Sequence, residues 1–252
     1  MKHSRMSVTG VVGGVVALVA AAVVAGPLSL PAQAGSSPGY KLQTVTLASG
    51  KTTVGRWNPC QTDITYKVNV SGIPRAKRAA MVKQVKSAFV KLAAADGMTY
   101  RYTGSTTFVP KKKTLADGPA EIVVAAVSKN ATDLDLSETS LGYGGTLWST
   151  WSGSQGEGAA VVRGYVVLSA SGMATLKPGF GRGKTQGNVI LHELGHATGL
   201  EHVSSTKALM NPTLTSSAPN GFSSGELAGL KKLGRPAGCI TIPSIVKIPD
   251  LS

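Results

Sequence analysis

The sequence predicts an α+β fold, and three observations carry that reading. A stretch at 64–70 alternates apolar and polar residues, and two Val-rich runs follow at 121–127 and 159–168; these are strand patterns. Val82, Val85, Phe89 and Leu92 recur at three- and four-residue steps in a stretch free of Gly and Pro, which is a helix pattern. One helical segment follows the first strand, a second follows the last strand and a third lies near the end, and no internal repeat is visible.

In chain order, the first 34 residues stand apart. Lys2 and Arg5 precede an apolar run densest over 11–25, and Ala32-Gln33-Ala34 closes it. A basic start, a short apolar middle and an A-x-A end are the parts of a secretory signal peptide cleaved after Ala34. The run is shorter than the ~20 apolar residues a spanning helix needs, so the expectation is a secreted or envelope-associated protein with no membrane span. Residues 35–56 are polar and read as a short, loosely held leader. A domain begins at Trp57 and extends to about residue 240, followed by a C-terminal tail at 241–252.

Within that domain, residues 64–70 form a half-buried strand ended by Gly72. Pro74 opens a helix that runs to Ala95 and stops at Asp96-Gly97, with Lys77, Lys83, Lys86 and Lys91 on its wet faces. Residues 98–102 are a second strand and 103–119 a loop. The continuous apolar run at 121–127 reads as an interior strand. After a polar loop at 128–140, the glycine-bearing stretch 141–148 forms a fourth strand, its glycines marking a close backbone approach. Residues 159–168 are a fifth. A glycine-studded loop at 171–184 leads to a helix over 186–199. Ser223 and Glu226 have capping-box spacing ahead of a final helix of about ten residues.

Lys and Arg total 26 against 12 acids; without Lys2 and Arg5 the formal charge is +12. Such a charge attracts anionic surfaces, including envelope polymers and acidic substrates. No zinc-finger, RNP or helix-turn-helix signature is present, and the basic residues are dispersed, so a nucleic-acid partner is not expected. The only cysteines, Cys60 and Cys239, read as a disulfide in an exported chain, joining the two ends of the domain. The rival reading makes Cys60 a thiolate that blocks a metal site.

The chemistry concentrates at 192–202, which spells H-E-x-x-H-x-x-G-x-x-H. His192 and His196 lie one helical turn apart on one face and can offer nitrogens to one ion. Glu193 can reach a water at the open metal position and take its proton. Gly199 permits the sharp turn that brings His202 back as a third ligand. Once the signal segment with His3 is gone, every histidine of the chain lies in this window.

This pattern, with Met210 eight residues after His202, resembles the metzincin clan of zinc peptidases, whose signature is this motif followed by a Met-turn. The element order is most similar to matrixins, in particular small secreted bacterial matrixin-like proteins, over roughly residues 57–240. The resemblance implies a five-stranded mixed, twisted sheet over the active-site helix, with a backing helix and a C-terminal helix. It implies one catalytic Zn2+ and a methionine floor under the metal. It further implies a substrate strand laid along an edge formed by Gly142, Tyr143, Gly144, Gly145 and Thr146.

Four departures matter. The histidines of a second, structural zinc are missing. Calcium has only Asp133, Asp135 and Glu138 to bind it, and these read as a solvated loop rather than a calcium site. No leader cysteine precedes Cys60. A tyrosine two residues after the methionine, present in some metzincins, is here Pro212, so oxyanion stabilisation would rest on the metal. The expected function is a monomeric, secreted zinc-dependent endopeptidase acting on proteins or peptides. The rival is a non-catalytic, basic envelope-binding module that keeps zinc for structure.

Overall fold

A computed structural model describes residues 39–60, 63–134, 136, 139–154 and 156–242. Its centre is a five-stranded sheet of β4 (Ile64–Asn69), β5 (Tyr100–Ser105), β6 (Ile122–Val127), β7 (Gly142–Gly153) and β8 (Gly156–Ser169), in the order β5-β4-β6-β8-β7. The first four strands in that order run parallel, and β7 pairs antiparallel with β8 as the edge strand. Parallel neighbours need long crossovers. Helix α1 (Arg78–Asp96) supplies the one between β4 and β5, and Gly97, at φ 72°, ends that helix in the left-handed conformation.

The continuous apolar character of β6 follows from burial on both faces. Ile122, Val124 and Ala126 join the main core with Phe89 and Leu92 of α1 and with Leu191 and Leu194 of α3 (Gln186–Thr198). Ala125 and Val127 face the other way, into a smaller cluster with Leu134, Leu136, Tyr165 and Val167. Leu134 and Leu136 therefore cover the back of the sheet. Helix α4 (Ser224–Leu233) is ten residues long and carries the capping box of Ser223 and Glu226.

The structure departs from the sequence reading in three places. The fourth strand extends to Gly153, because it forms a long hairpin with β8 whose last pair is Gly153 opposite Gly156. The start of the glycine-studded loop is a short helix, α2 (Ala170–Ala174), capped by the Ser169 hydroxyl. The stretch expected to be loosely held instead contains β1 (Lys41–Leu42), β2 (Thr44–Thr46) and β3 (Thr52–Val54). β2 and β3 form a hairpin, while β1 pairs with β9 (Leu200–Glu201) immediately after α3. These strands of two or three residues are too short to display a period in sequence, and tertiary pairing forms them.

Cys60 and Cys239 are joined by a disulfide with Cα atoms 5.3 Å apart. Asn58 reinforces this join by accepting from Ile240 N–H and donating to Ile240 O, both at 3.1 Å. Among the described residues, no helix is long and apolar enough to cross a membrane. The expected signal segment and nearly all of the C-terminal tail lie outside the described residues.

Candidate metal centre and substrate cleft

Helix α3 begins at Thr185, whose side chain accepts from Asn188 N–H, and ends at Gly199. Gly199 has φ 109°, and a Cβ there would lie 2.7 Å from the carbonyl oxygen of Gly55. Both facts exclude a side chain. The chain then reverses through β9, which pairs with β1, and His202 returns over the helix.

The result is a convergence of three ring nitrogens. His202 Nε2 lies 3.1 Å from His192 Nε2 and 3.0 Å from His196 Nε2. Two neutral imidazoles cannot both donate along such a short line, so the arrangement is one of lone pairs aimed at a common point. The other nitrogens fix this tautomer. His192 Nδ1 donates to Leu209 O at 2.7 Å, and His196 Nδ1 donates to Leu200 O at 2.8 Å. Burial lowers the pKa of His192 to about 4 and that of His196 well below its ordinary value; it also lowers that of His202. All three rings are thus neutral and able to ligate at neutral pH.

Zinc on nitrogens at about 2.0–2.1 Å in a tetrahedron would hold them about 3.3–3.4 Å apart. The observed separations are within a few tenths of an ångström of this, and neutral imidazoles suit zinc. The donor set therefore fits the metal. Among the described residues, this triad is the only cluster of three or more His, Cys, Asp or Glu side chains close enough to share an ion.

Glu193 is 6% exposed, and burial pushes its carboxyl up to about 8, with a hydrogen bond from Gly144 N–H pulling the other way. A dication on the triad would draw this value down again. Gly142 and Gly144 of β7 crowd this residue. A Cβ at Gly142 would lie 2.7 Å from Glu193 Oε1, and one at Gly144 would overlap the Glu193 backbone. The glycines of the edge strand let the sheet settle directly on the Glu193 turn of the helix.

Met210 is 1% exposed and lies beneath the same helix, where a Cβ at Gly195 would meet its Sδ at 2.6 Å. Its backbone N–H donates to Glu226 Oε1, and Glu226 Oε2 accepts from Ser223 N–H. The fully buried Glu226 thus caps α4 and anchors the methionine turn together. Sequence spacing identified only the first of these roles.

A cleft of about 970 Å³ surrounds the triad; Gly142, Tyr143 and Gly144 lie on one wall and Pro212, Thr213 and Leu214 on the other. Two residues expected along the substrate edge do not line it. Gly145 is covered by the Tyr165 ring on the opposite face of the sheet, as alternation along a strand requires. The Thr146 hydroxyl donates to Gln43 Oε1 at 2.7 Å, and Gln43 Nε2 donates to His196 O at 3.3 Å. Gln43 comes from the supposed leader and lines the cleft; no motif marks it. Trp57 is likewise unmarked, and its indole N–H donates to Ala197 O at 3.0 Å.

Of the three acids considered for calcium, Asp133 accepts from Lys112 N–H at 2.7 Å; Asp135 and Glu138 lie outside the described residues. Cys60 is bonded to Cys239, so it is not a thiolate available to the triad.

A mixed sheet over a helix that carries two of three converging histidines, with a glutamate between them and a methionine turn below, defines a zinc metallopeptidase of the metzincin type. The matrixin family model matches residues 56–233, and the chain belongs to that family. Among curated proteins, no significant match is found.

Proposed function

We propose that the protein is an exported endopeptidase that hydrolyses internal peptide bonds with one catalytic zinc held by His192, His196 and His202. The observation that carries this reading is the convergence of three neutral imidazole nitrogens beside a buried carboxyl. Zinc, when bound, polarises the scissile carbonyl and acidifies water at its open position. Glu193 takes a proton from the attacking water and passes it to the leaving amine nitrogen. The Leu209 and Leu200 carbonyls keep His192 and His196 oriented throughout.

Positioning of the substrate falls to β7. It is the last strand of the sheet, with its outer edge beside the triad. An extended peptide can add to that edge through main-chain hydrogen bonds on both sides of the scissile bond, which favours internal cleavage. Export is supported by the basic-apolar-A-x-A pattern of residues 1–34 and by the disulfide.

The test is digestion of an unfolded protein substrate, with fragments sized by mass spectrometry. Internal cleavage that a chelator abolishes and added zinc restores is the expected result. Intact substrate, alongside tight salt-sensitive binding to an anionic polymer, would instead establish a non-catalytic binding module.

A further inference from the structure

The two ends of the cleft differ in charge. At one end Glu201 lies 3.8 Å from Lys41, close to Gln43. At the other stand Lys177 and Lys184, both exposed and neither in an ion pair with a described residue. Their positions are set by the backbone. Lys177 and Thr185 form a parallel bridge, and Gln186 N–H donates to Lys177 O at 2.9 Å. The two residues therefore flank the start of α3, whose dipole adds positive potential there. Glu193, committed to proton transfer, and Glu201 at the far end are the only described carboxylates that line the cleft.

The polarity of β7 relates these ends to a bound peptide. Moving from Thr146 to Gly142 runs from Gln43 and His196 toward Leu141 and the lysines. A peptide added antiparallel to β7, the more stable sense of pairing, runs in that direction. Its residues C-terminal to the scissile bond then lie beneath Lys177 and Lys184.

We propose that this cleft selects peptides with an acidic side chain, Asp or Glu, within the first few residues after the scissile bond. The proposal rests on the endopeptidase reading above. Solvated charge pairs of this kind contribute modestly, so the expected preference for Glu over Lys is about tenfold in kcat/KM, shrinking as salt screens it.

Matched peptides that differ only in the second or third residue after the cleavage point, as Glu, Ala or Lys, test it. Wild type should cleave in the order Glu, Ala, Lys, with the spread falling as salt rises from about 0.05 to about 0.5 M, because the Debye length shortens roughly threefold. The K177E/K184E variant should invert the order. Equal rates for the three peptides, or the same order in wild type and variant, would overturn the inference while leaving the endopeptidase intact. Failure to cleave any of them would overturn both.

Discussion

At the residue scale, the site depends on side chains that never touch a substrate. Glu226 holds the methionine turn by the backbone of Met210, one residue after the Leu209 carbonyl that orients His192. Glu226→Ala removes a helix cap and leaves a buried N–H unpaired, which together cost about 2–4 kcal/mol. It should also weaken zinc binding, because the turn that presents the Leu209 carbonyl to His192 is no longer anchored; urea unfolding and a zinc competition titration measure the two effects. Asp96 provides a pH signature away from the site. Its carboxyl accepts from Met98 N–H and Tyr100 Oη, yet burial outweighs both and raises its pKa to about 6 from an ordinary 3.8. The folded chain therefore holds this proton more tightly than the unfolded chain. Its contribution is full below pH ~4 and is lost as pH rises through 6, by up to about 3 kcal/mol. The difference in unfolding free energy between Asp96→Asn and wild type should move in favour of the variant by that order between pH 4 and 7.5. Taking the difference cancels the opposite trend of the histidines, whose lowered pKa values destabilise the fold as pH falls. A flat difference would contradict the burial argument.

At the scale of elements, what was legible in the sequence was what is local. The helix periodicity of α1, the capping box of α4 and the His-Glu-His spacing of α3 each lie within one segment, so the residues report their own geometry. What was hidden depends on distant pairing. β1 exists because Leu42 meets Leu200, and the far half of β7 because it finds β8; neither partner is visible within a short window. The same holds for Gln43, which joins β7 to the end of α3 from sequence separations of 103 and 153 residues. This N-terminal segment packs against the site as part of the domain. Gln43→Ala should lower kcat/KM several-fold at unchanged zinc stoichiometry, and deletion of 39–47 should expose the end of α3 to faster amide exchange around 199–202. Unchanged exchange after the deletion would show that β1 contributes nothing to the turn. Gly199→Ala, forced into a left-handed conformation against the Gly55 carbonyl, should cost at least about 1–2 kcal/mol.

At the scale of the whole molecule, the disulfide closes a span of 179 residues and ties the start of the domain to its end. Replacing Cys60 and Cys239 by Ala should lower stability by about 2–5 kcal/mol, seen as a fall in Tm, while stoichiometric zinc binding persists because the triad lies elsewhere. With Met210 buried under α3, the long hairpin of β7 and β8 and the helix beneath it bring residues 142–144 and His192, Glu193, His196 and His202 to one cleft. Its basic residues lie at one end, where the high net charge of the chain becomes a directional feature.

The central claim is that three imidazoles hold one metal while Glu193 moves the proton. Its most direct measurement is the zinc content and turnover of Glu193→Gln, determined on the same preparation beside wild type. The account predicts one zinc per chain in both and a fall in kcat of about 10²–10⁴ in the variant. Turnover equal to wild type in the zinc-loaded variant, or a wild-type protein that binds no stoichiometric zinc, would contradict it.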